Sequence, residues 1–369
     1  MLMQVLLFVG GLVGLIVGAE LLVRGASKLA LSFGISPLVV GLTVVAFGTS
    51  APEMAVSTGA VLNGQVDLAL GNVIGSNIFN VLFILGISAL ITPLVVNVQL
   101  IRQEVPIMIG ASLLLAVLAL DGRISASDAA LLFGLVIAYT VFLVLQSRAE
   151  TQAARDEYAA EIQPAQPGGW DSHWGVQLGL IVGGLVLLVG GSEALVTAAV
   201  SFARALGISE LVIGLTIIAA GTSMPEVAAS VTAALKGERD IAVGNVVGSC
   251  VFNVLGCVGL AGLAAAISGA GGGALVVPTA ALNFDLWVML AVALACLPVF
   301  LSGREIARWE GAVFLGYYVA YVGYLILAAQ DHAALPAFSW VMLSFVIPLT
   351  VVTLVASALR RPAPTSVAP

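Results

Sequence analysis

The two halves of this 369-residue chain repeat each other at an offset of 173 residues. Residues 34–90 align without a gap on residues 207–263, and 32 of the 57 aligned positions are identical. Shared hydrophobicity alone does not produce so many identities. The chain is therefore an internal duplication, and its fold has to be built from two copies of one unit.

Both copies are too apolar for a water-soluble protein. Hydrophobic residues make up 60% of the chain and charged residues only 9%, whereas soluble proteins are about 25% charged. Apolar stretches recur at about the 20-residue length that a helix needs to cross a bilayer. The sequence predicts eleven helices, near 4–23, 37–62, 68–91, 104–120, 127–146, 176–199, 210–235, 241–266, 284–302, 309–329 and 339–358.

Each repeat contains five predicted helices, which is an odd number. The second repeat must then be threaded through the bilayer in the opposite sense to the first. The predicted fold class is an all-α integral membrane protein with two inverted-topology repeats of five transmembrane helices and an eleventh C-terminal helix. Its expected parts are a first repeat at 1–146, a cytoplasmic linker at 147–174, a second repeat at 175–330, and the eleventh helix and tail at 331–369.

The distribution of Lys and Arg predicts the orientation, because these residues accumulate in cytoplasmic loops. With the N-terminus outside, eleven of the thirteen basic residues fall on the cytoplasmic side, and only Arg123 and Arg204 fall outside. We expect a multi-pass protein of the cell inner membrane or plasma membrane, with the N-terminus outside and the C-terminus in the cytoplasm.

Two glutamates that are repeat mates, Glu53 and Glu226, lie deepest in the predicted helices. Each ends the motif Gly-Thr-Ser-x-Pro-Glu. Proline has no N–H and clashes with the carbonyl four residues earlier, so Pro52 and Pro225 should break their helices. A charge at the centre of a membrane helix costs about 2.5–3.5 kcal/mol on insertion scales, which favours a functional role for both acids.

A hydroxyl accompanies each carboxylate. Thr49 lies four residues before Glu53, and Thr222 lies four residues before Glu226, so each pair shares one helix face. Carboxylates, hydroxyls and the carbonyls at a helix break are oxygen ligands that suit a hard cation. Two carboxylates balance the charge of one divalent ion.

The next helix of each repeat carries a second polar pair. It opens with Gly-Asn-x-x-Gly-Ser-x-x-Phe-Asn, at residues 71–80 and 244–253. Ser76 and Asn80 share one face, as do Ser249 and Asn253. Inverted symmetry should bring these helices and the two broken helices together near the midplane. Hydrogen-bonded helix packing is the alternative interpretation of this second pair.

These twin motifs resemble those of the calcium/cation antiporter superfamily, and within it the prokaryotic sodium/calcium exchanger branch. The resemblance spans residues 1–330. It implies a secondary active antiporter that exchanges calcium for sodium by alternating access at a midplane site formed by two glutamates. It also implies a chain that works as a monomer in the lipid bilayer, with no cofactor beside the transported calcium and sodium ions.

The resemblance implies a set of ion ligands by motif. Glu53 and Glu226 would bind both ions, beside Thr49 and Thr222. The other implied ligands are Ser76 and Ser249 at outer sodium sites, the carbonyls of Ala46 and Ala219, Asn80 and Asn253 at the middle site, and Ser50 and Ser223.

The chain departs from the commoner pattern at Asn253. Many sodium/calcium exchangers carry Asp at one member of this pair, whereas this chain has Asn at both positions. A proton-coupled calcium antiporter is therefore the alternative function, although such relatives usually carry Gly-Asn-x-x-Glu elements. A cation channel is a more remote alternative, because a strict inverted repeat around one shared site favours alternating access over a pore.

Other classes of function have little support in the sequence. A net charge of −7 offers no basic footprint for nucleic acid. No His-rich metal motif, and no nucleophile paired with a base, occurs in any predicted helix. We therefore expect a transporter and not an enzyme.

Overall fold

The computed structural model describes residues 2–33, 35–149, 171, 173–206 and 219–359. Within this part of the chain, ten helices are long and apolar enough to cross a membrane. They are α1 (Leu2–Phe33), α2 (Pro37–Leu62), α3 (Val66–Ile91), α4 (Leu100–Asp121), α5 (Ala126–Ala149), α6 (Trp174–Ala205), α8 (Arg239–Ser268), α9 (Ala281–Leu301), α10 (Arg308–Ala329) and α11 (Leu335–Val355). Helix α7 is represented by Ala219–Gly221 and Met224–Leu235.

The described helices match the predicted spans, with differences in length. The segment predicted at 210–235 is described only from residue 219, and most of the predicted 147–174 linker lies outside the described residues. Helices α1 and α6 have 32 residues each, so α1 continues through Arg24 and Lys28, where the sequence predicts a loop. The last turns of α1 are held beside the start of α6: Arg24 Nε donates to Asp171 Oδ2 at 2.8 Å, and Gln177 Nε2 donates to Ser32 Oγ at 2.7 Å.

Two short ribbons show that equivalent helices of the two repeats run in opposite directions. Strands β1 (Leu94–Val95) and β2 (Arg123–Ile124) flank α4, and β3 (Leu275–Val276) and β4 (Glu305–Ile306) flank α9. Strand β1 pairs with β4, and β2 pairs with β3. Because α4 is about 33 Å long, the ribbons lie at opposite ends of it. Helix α9 therefore runs antiparallel to α4, its counterpart, as an inverted repeat requires.

The interior of the protein is formed by α2, α3, α7 and α8. These helices contribute most of the buried polar side chains of the described residues, including five that are 0% exposed: Glu53, Glu226, Asn80, Asn245 and Asn253. By contrast, no residue of α11 is buried within its apolar window. The motif helices thus lie at the centre of the molecule, and the eleventh helix lies at its edge.

Glycine allows α1 and α6 to touch backbone to backbone. A Cβ atom at Gly18 would lie 2.8 Å from the Gly184 carbonyl oxygen, and one at Gly184 would lie 2.7 Å from the Gly18 carbonyl oxygen. Gly11 and Gly191 are related in the same way: a Cβ atom at Gly11 would lie 2.7 Å from the Gly191 carbonyl oxygen, and one at Gly191 would lie 2.9 Å from the Gly11 carbonyl oxygen. Small residues are the usual means of close helix contact in lipid, where no hydrophobic effect drives helices together. The first helices of the two repeats therefore form one packed pair.

We expect Gly184→Ala to destabilise the protein by about 1–3 kcal/mol, because the added methyl group has to push two backbones apart. Gly183 provides a matched control, since a Cβ atom there meets nothing within 4 Å, and Gly183→Ala should change stability by about 0.5 kcal/mol or less. The midpoints of heat denaturation in detergent measure both effects. Equal midpoints for the two variants would contradict this account of the α1–α6 contact.

Candidate cation site

Both proline motifs break their helices, as the sequence predicts. Helix α2 consists of a segment that ends with Ala46–Thr49, a turn at Ser50, and a second segment, Ala51–Leu62, with Pro52 in its first turn. In α7, Pro225 lies at the same place in Met224–Leu235. Each glutamate therefore lies in the first turn of a new helix segment, where unpaired N–H groups favour a negative charge.

Each glutamate is bound by a serine of the other repeat. Ser223 Oγ donates to Glu53 Oε1 at 2.8 Å, and Ser50 Oγ donates to Glu226 Oε1 at 3.2 Å. Both side chains are completely buried. The second carboxylate oxygen, Oε2, has no hydrogen-bond partner in either glutamate within the described part of the chain. Two buried acids thus each keep one unsatisfied oxygen, which is costly unless a cation or proton binds there.

Thr49 is held by a relay that crosses to the other repeat. Its hydroxyl donates to Asn245 Oδ1 at 3.1 Å, and Asn245 Nδ2 donates to Ser230 Oγ at 2.8 Å. The same hydroxyl lies 3.4 Å from the Ala46 carbonyl oxygen. Because the hydroxyl hydrogen is donated to protein oxygens, the oxygen lone pairs of Thr49 stay available for a cation.

The equivalent relay starts at Thr222 of the second repeat and crosses to the first repeat. Thr222 Oγ1 donates to Asn72 Oδ1 at 3.3 Å, and Asn72 Nδ2 donates to Ser57 Oγ at 3.1 Å. The motif spacing alone predicts no role for the two asparagines or the two serines of these relays. A signal was present, because Asn72 and Asn245 are identical repeat mates, as are Ser57 and Ser230.

The two predicted serines of the Gly-Ser motifs have different surroundings. Ser76 Oγ lies 3.2 Å from Ser223 Oγ and so joins the hydrogen bonds around Glu53. Ser249 is 0% exposed, and its hydroxyl has no partner among the described residues. Ser76 is thus brought together with the glutamates by a hydrogen-bond chain, whereas Ser249 is buried without one.

Asn80 and Asn253 each lie at a π-helical turn, Asn80–Leu85 in α3 and Phe252–Cys257 in α8. Such turns are frequent at functional sites. Their amides are not equivalent. Both amide atoms of Asn80 are buried without a hydrogen-bond partner among the described residues, whereas Asn253 Nδ2 donates to Asn77 Oδ1 at 3.2 Å.

Backbone carbonyls at the breaks are partly used inside the protein. The Ala46 carbonyl accepts from the Ser50 N–H at 3.0 Å. The Gly221 carbonyl, which Pro225 leaves without its helical partner, accepts from Ser192 Oγ at 2.6 Å. Ala219 begins the short segment Ala219–Gly221, and its side chain lies outside the description.

The donor set has the chemistry of a hard-cation site. The oxygens come from two carboxylates, hydroxyls, amides and carbonyls, and the described ranges contain no group of three or more His, Cys, Asp or Glu residues that could hold a metal ion. Calcium takes six to eight such oxygens. The buried oxygens without partners on Glu53, Glu226 and Asn80 fit a cation as transported substrate.

Comparison with known proteins identifies the family. A family model described as "Sodium/calcium exchanger protein" matches residues 3–145 and 176–327, one match for each repeat. The chain is 40% identical over 335 residues to a putative antiporter, CaxA, of Alkalimonas amylolytica, covering 89% of this chain and 99% of the relative. It is 32% identical over 341 residues to the sodium/calcium exchanger MaX1 of Methanosarcina acetivorans, covering 85% and 95%.

A solved structure agrees with both the fold and the family. The sodium-calcium exchanger NCX_Mj, soaked with zero Na⁺ and Ca²⁺, superposes with a TM-score of 0.73 at 30% sequence identity. The match covers 88% of this chain and 99% of that structure. Together with the antiparallel α4 and α9, these matches confirm the predicted inverted-repeat membrane fold. The chain belongs to the sodium/calcium exchanger protein family.

Proposed function

We propose that this protein is a secondary active antiporter that exchanges calcium for sodium by alternating access at one midplane site. The observation that carries the proposal is the pair Glu53 and Glu226. These two fully buried carboxylates come from opposite repeats, each is bound by a serine of the other repeat, and each keeps an oxygen without a partner among the described residues.

The charge of the pair accounts for the choice of cargo. Burying one uncompensated carboxylate is expensive, and burying two without a counter-ion is more so. One divalent cation neutralises both carboxylates at once, and sodium ions do so when they replace it. Cargo exchange then keeps the site occupied, because an empty site would leave both charges uncompensated in a medium of low dielectric constant.

The inverted repeat provides the route to alternating access. Each repeat contributes a broken helix and a π-helical turn to the interior of the protein. Because the repeats are threaded in opposite senses, a rearrangement that opens the site to one side has a counterpart that opens it to the other. The proposed ligands are Glu53, Glu226, Thr49, Thr222, Asn80, Asn253, Ser76, Ser249, Ala46, Ala219, Ser50 and Ser223.

A proton-coupled calcium antiporter is the second candidate. The observation in its favour is the lack of a third acid, since both repeats have Asn where many sodium/calcium exchangers have one Asp. Because the site then has only two carboxylates, Glu53 and Glu226, two protons neutralise it as well as one divalent ion does. Coupling to sodium is the proposal that follows from the family, and coupling to protons is its direct competitor.

The organisation of the chain in the membrane belongs to the same proposal. The repeats occupy 1–146 and 175–330, the segment 147–174 is a cytoplasmic linker, and 331–369 adds the eleventh helix and tail. The N-terminus is outside and the C-terminus cytoplasmic. Two ion pairs support this arrangement: Lys236 pairs with Glu20, and Arg24 pairs with Asp171. The charged groups that the proposal assigns to the cytoplasmic end of the helices therefore lie near one another.

Reconstituted protein tests the coupling ion. We expect calcium uptake into proteoliposomes when an outward sodium gradient is imposed, because sodium then replaces calcium at the inner opening of the site. Outward gradients of potassium or protons of equal size should drive little uptake. Uptake driven by protons and indifferent to sodium would replace this proposal with the proton-coupled one.

Replacing either glutamate by glutamine should abolish calcium transport. Glu53→Gln and Glu226→Gln keep an oxygen but remove half of the negative charge that offsets a divalent ion, and we expect at least about a 100-fold loss of the initial uptake rate, equivalent to about 2.7 kcal/mol. Glu310→Gln is a matched control, because Glu310 is also buried, at 3% exposure, but binds the Ala307 N–H in α10. Near-normal uptake by either site variant would exclude the two-glutamate site.

Thiol labelling tests the proposed orientation. The three native cysteines are buried, so a cysteine introduced in a loop can be labelled selectively. A membrane-impermeant maleimide added to intact cells should label Asn63→Cys, in the turn between α2 and α3, but not Ser302→Cys, between α9 and α10. The reverse pattern would mean that the N-terminus is cytoplasmic.

A further inference from the structure

The two middle-site asparagines are repeat mates, yet only one of them is fixed by neighbours. Asn253 Nδ2 donates to Asn77 Oδ1 at 3.2 Å, and Asn253 Oδ1 lies 3.5 Å from Cys257 Sγ. Asn80 is equally buried, but neither of its amide atoms has a hydrogen-bond partner in the described part of the chain. Hydrogen bonds therefore define the orientation of the Asn253 amide, whereas the Asn80 side chain interacts with the Cys250 thiol.

The orientation of the Asn253 amide follows from a backbone carbonyl through Asn77. The Cys250 carbonyl can only accept, so the atom of Asn77 that faces it at 3.3 Å must be Nδ2. The other end of that amide, Oδ1, then faces Asn253 and must receive a hydrogen, which makes the facing atom of Asn253 its Nδ2. The Asn253 oxygen is consequently turned the other way, towards Cys257.

The contact between the Asn253 oxygen and the Cys257 thiol is weak. A thiol is a weak hydrogen-bond donor, and at 3.5 Å its contact with Asn253 Oδ1 is one that a cation readily replaces. If the amide were reversed, its oxygen would face Asn77 and only Nδ2 would be left to face a cation, and a donor group repels a cation.

We propose that Asn77 is a positioning residue: it holds the Asn253 amide by its nitrogen and so leaves the amide oxygen to bind a transported cation. The proposal rests on the proposed cation exchange, and it adds a residue that lies outside the ligand set. Asn77 is itself 3% exposed, and its repeat mate is Cys250, whose thiol interacts with Asn80 but is a weaker hydrogen-bond donor than an amide.

A purely structural role is the competing explanation. Asn77 Nδ2 also lies 3.6 Å from Met289 Sδ, so the residue joins α3, α8 and α9, and its loss could weaken the protein without acting through Asn253. A double-mutant cycle separates the two roles, since only the positioning role depends on an amide at position 253.

The experiment measures calcium binding to the purified full-length protein by isothermal titration calorimetry. Asn77→Ala should weaken calcium binding about three- to ten-fold, the equivalent of one lost hydrogen bond. In the Asn253→Ala background the same substitution should change binding less than about two-fold, because no amide is left to orient. Equal losses in the two backgrounds would overturn the positioning role.

Two further variants keep the test decisive. Asn77→Leu fills the same volume without an amide, and it replaces Asn77→Ala in the cycle if the alanine variant does not fold. Ser112→Ala is the control for loss of a buried hydrogen bond, because Ser112 Oγ donates to the Met108 carbonyl in α4 at 2.9 Å, and it should leave calcium binding unchanged. A wild-type protein that binds no calcium would overturn the proposed exchange and this role with it, whereas wild-type binding with additive effects would overturn only the role of Asn77.

Discussion

The structure depends on two carboxylates that are held in a membrane interior by groups from opposite halves of the chain. Glu53 is bound by Ser223, and Glu226 is bound by Ser50. Neither repeat supplies the serine that hydrogen-bonds to its own glutamate. The repeats are therefore joined by an exchanged polar contact at the place where an unpaired charge is most expensive.

Several features of the fold support these contacts between the repeats. The proline breaks put each glutamate at the start of a new helix segment, and the antiparallel course of α4 and α9 shows that the repeats face each other in opposite senses. The relays from Thr49 to Asn245 and from Thr222 to Asn72 again cross between repeats. Glycine contacts between α1 and α6 add a third connection, made by the backbone alone. The polar connections from the glutamates and threonines thus join the two halves at the candidate site.

The features that the two repeats share could be predicted from the sequence. The features in which the repeats differ could not, because they depend on tertiary contacts. The helix breaks at Pro52 and Pro225 follow from the chemistry of proline, and the pairing of the glutamates follows from the duplication. The difference between Asn80 and Asn253 could not be predicted, because it depends on the direction of the Cys250 carbonyl and on Asn77, whose repeat mate is a cysteine. The full length of α1 was also missed, since Arg24 looks like a helix boundary until Asp171 is known to lie beside it.

The position of a bound divalent ion tests the account most directly. Strontium or calcium can be located by anomalous scattering from crystals of the protein, which needs no assumption about transport. The account predicts one strong peak between Glu53 and Glu226, at about 2.3–2.6 Å from oxygens of both side chains. A divalent ion bound by residues of only one repeat, or bound away from both glutamates, would contradict it.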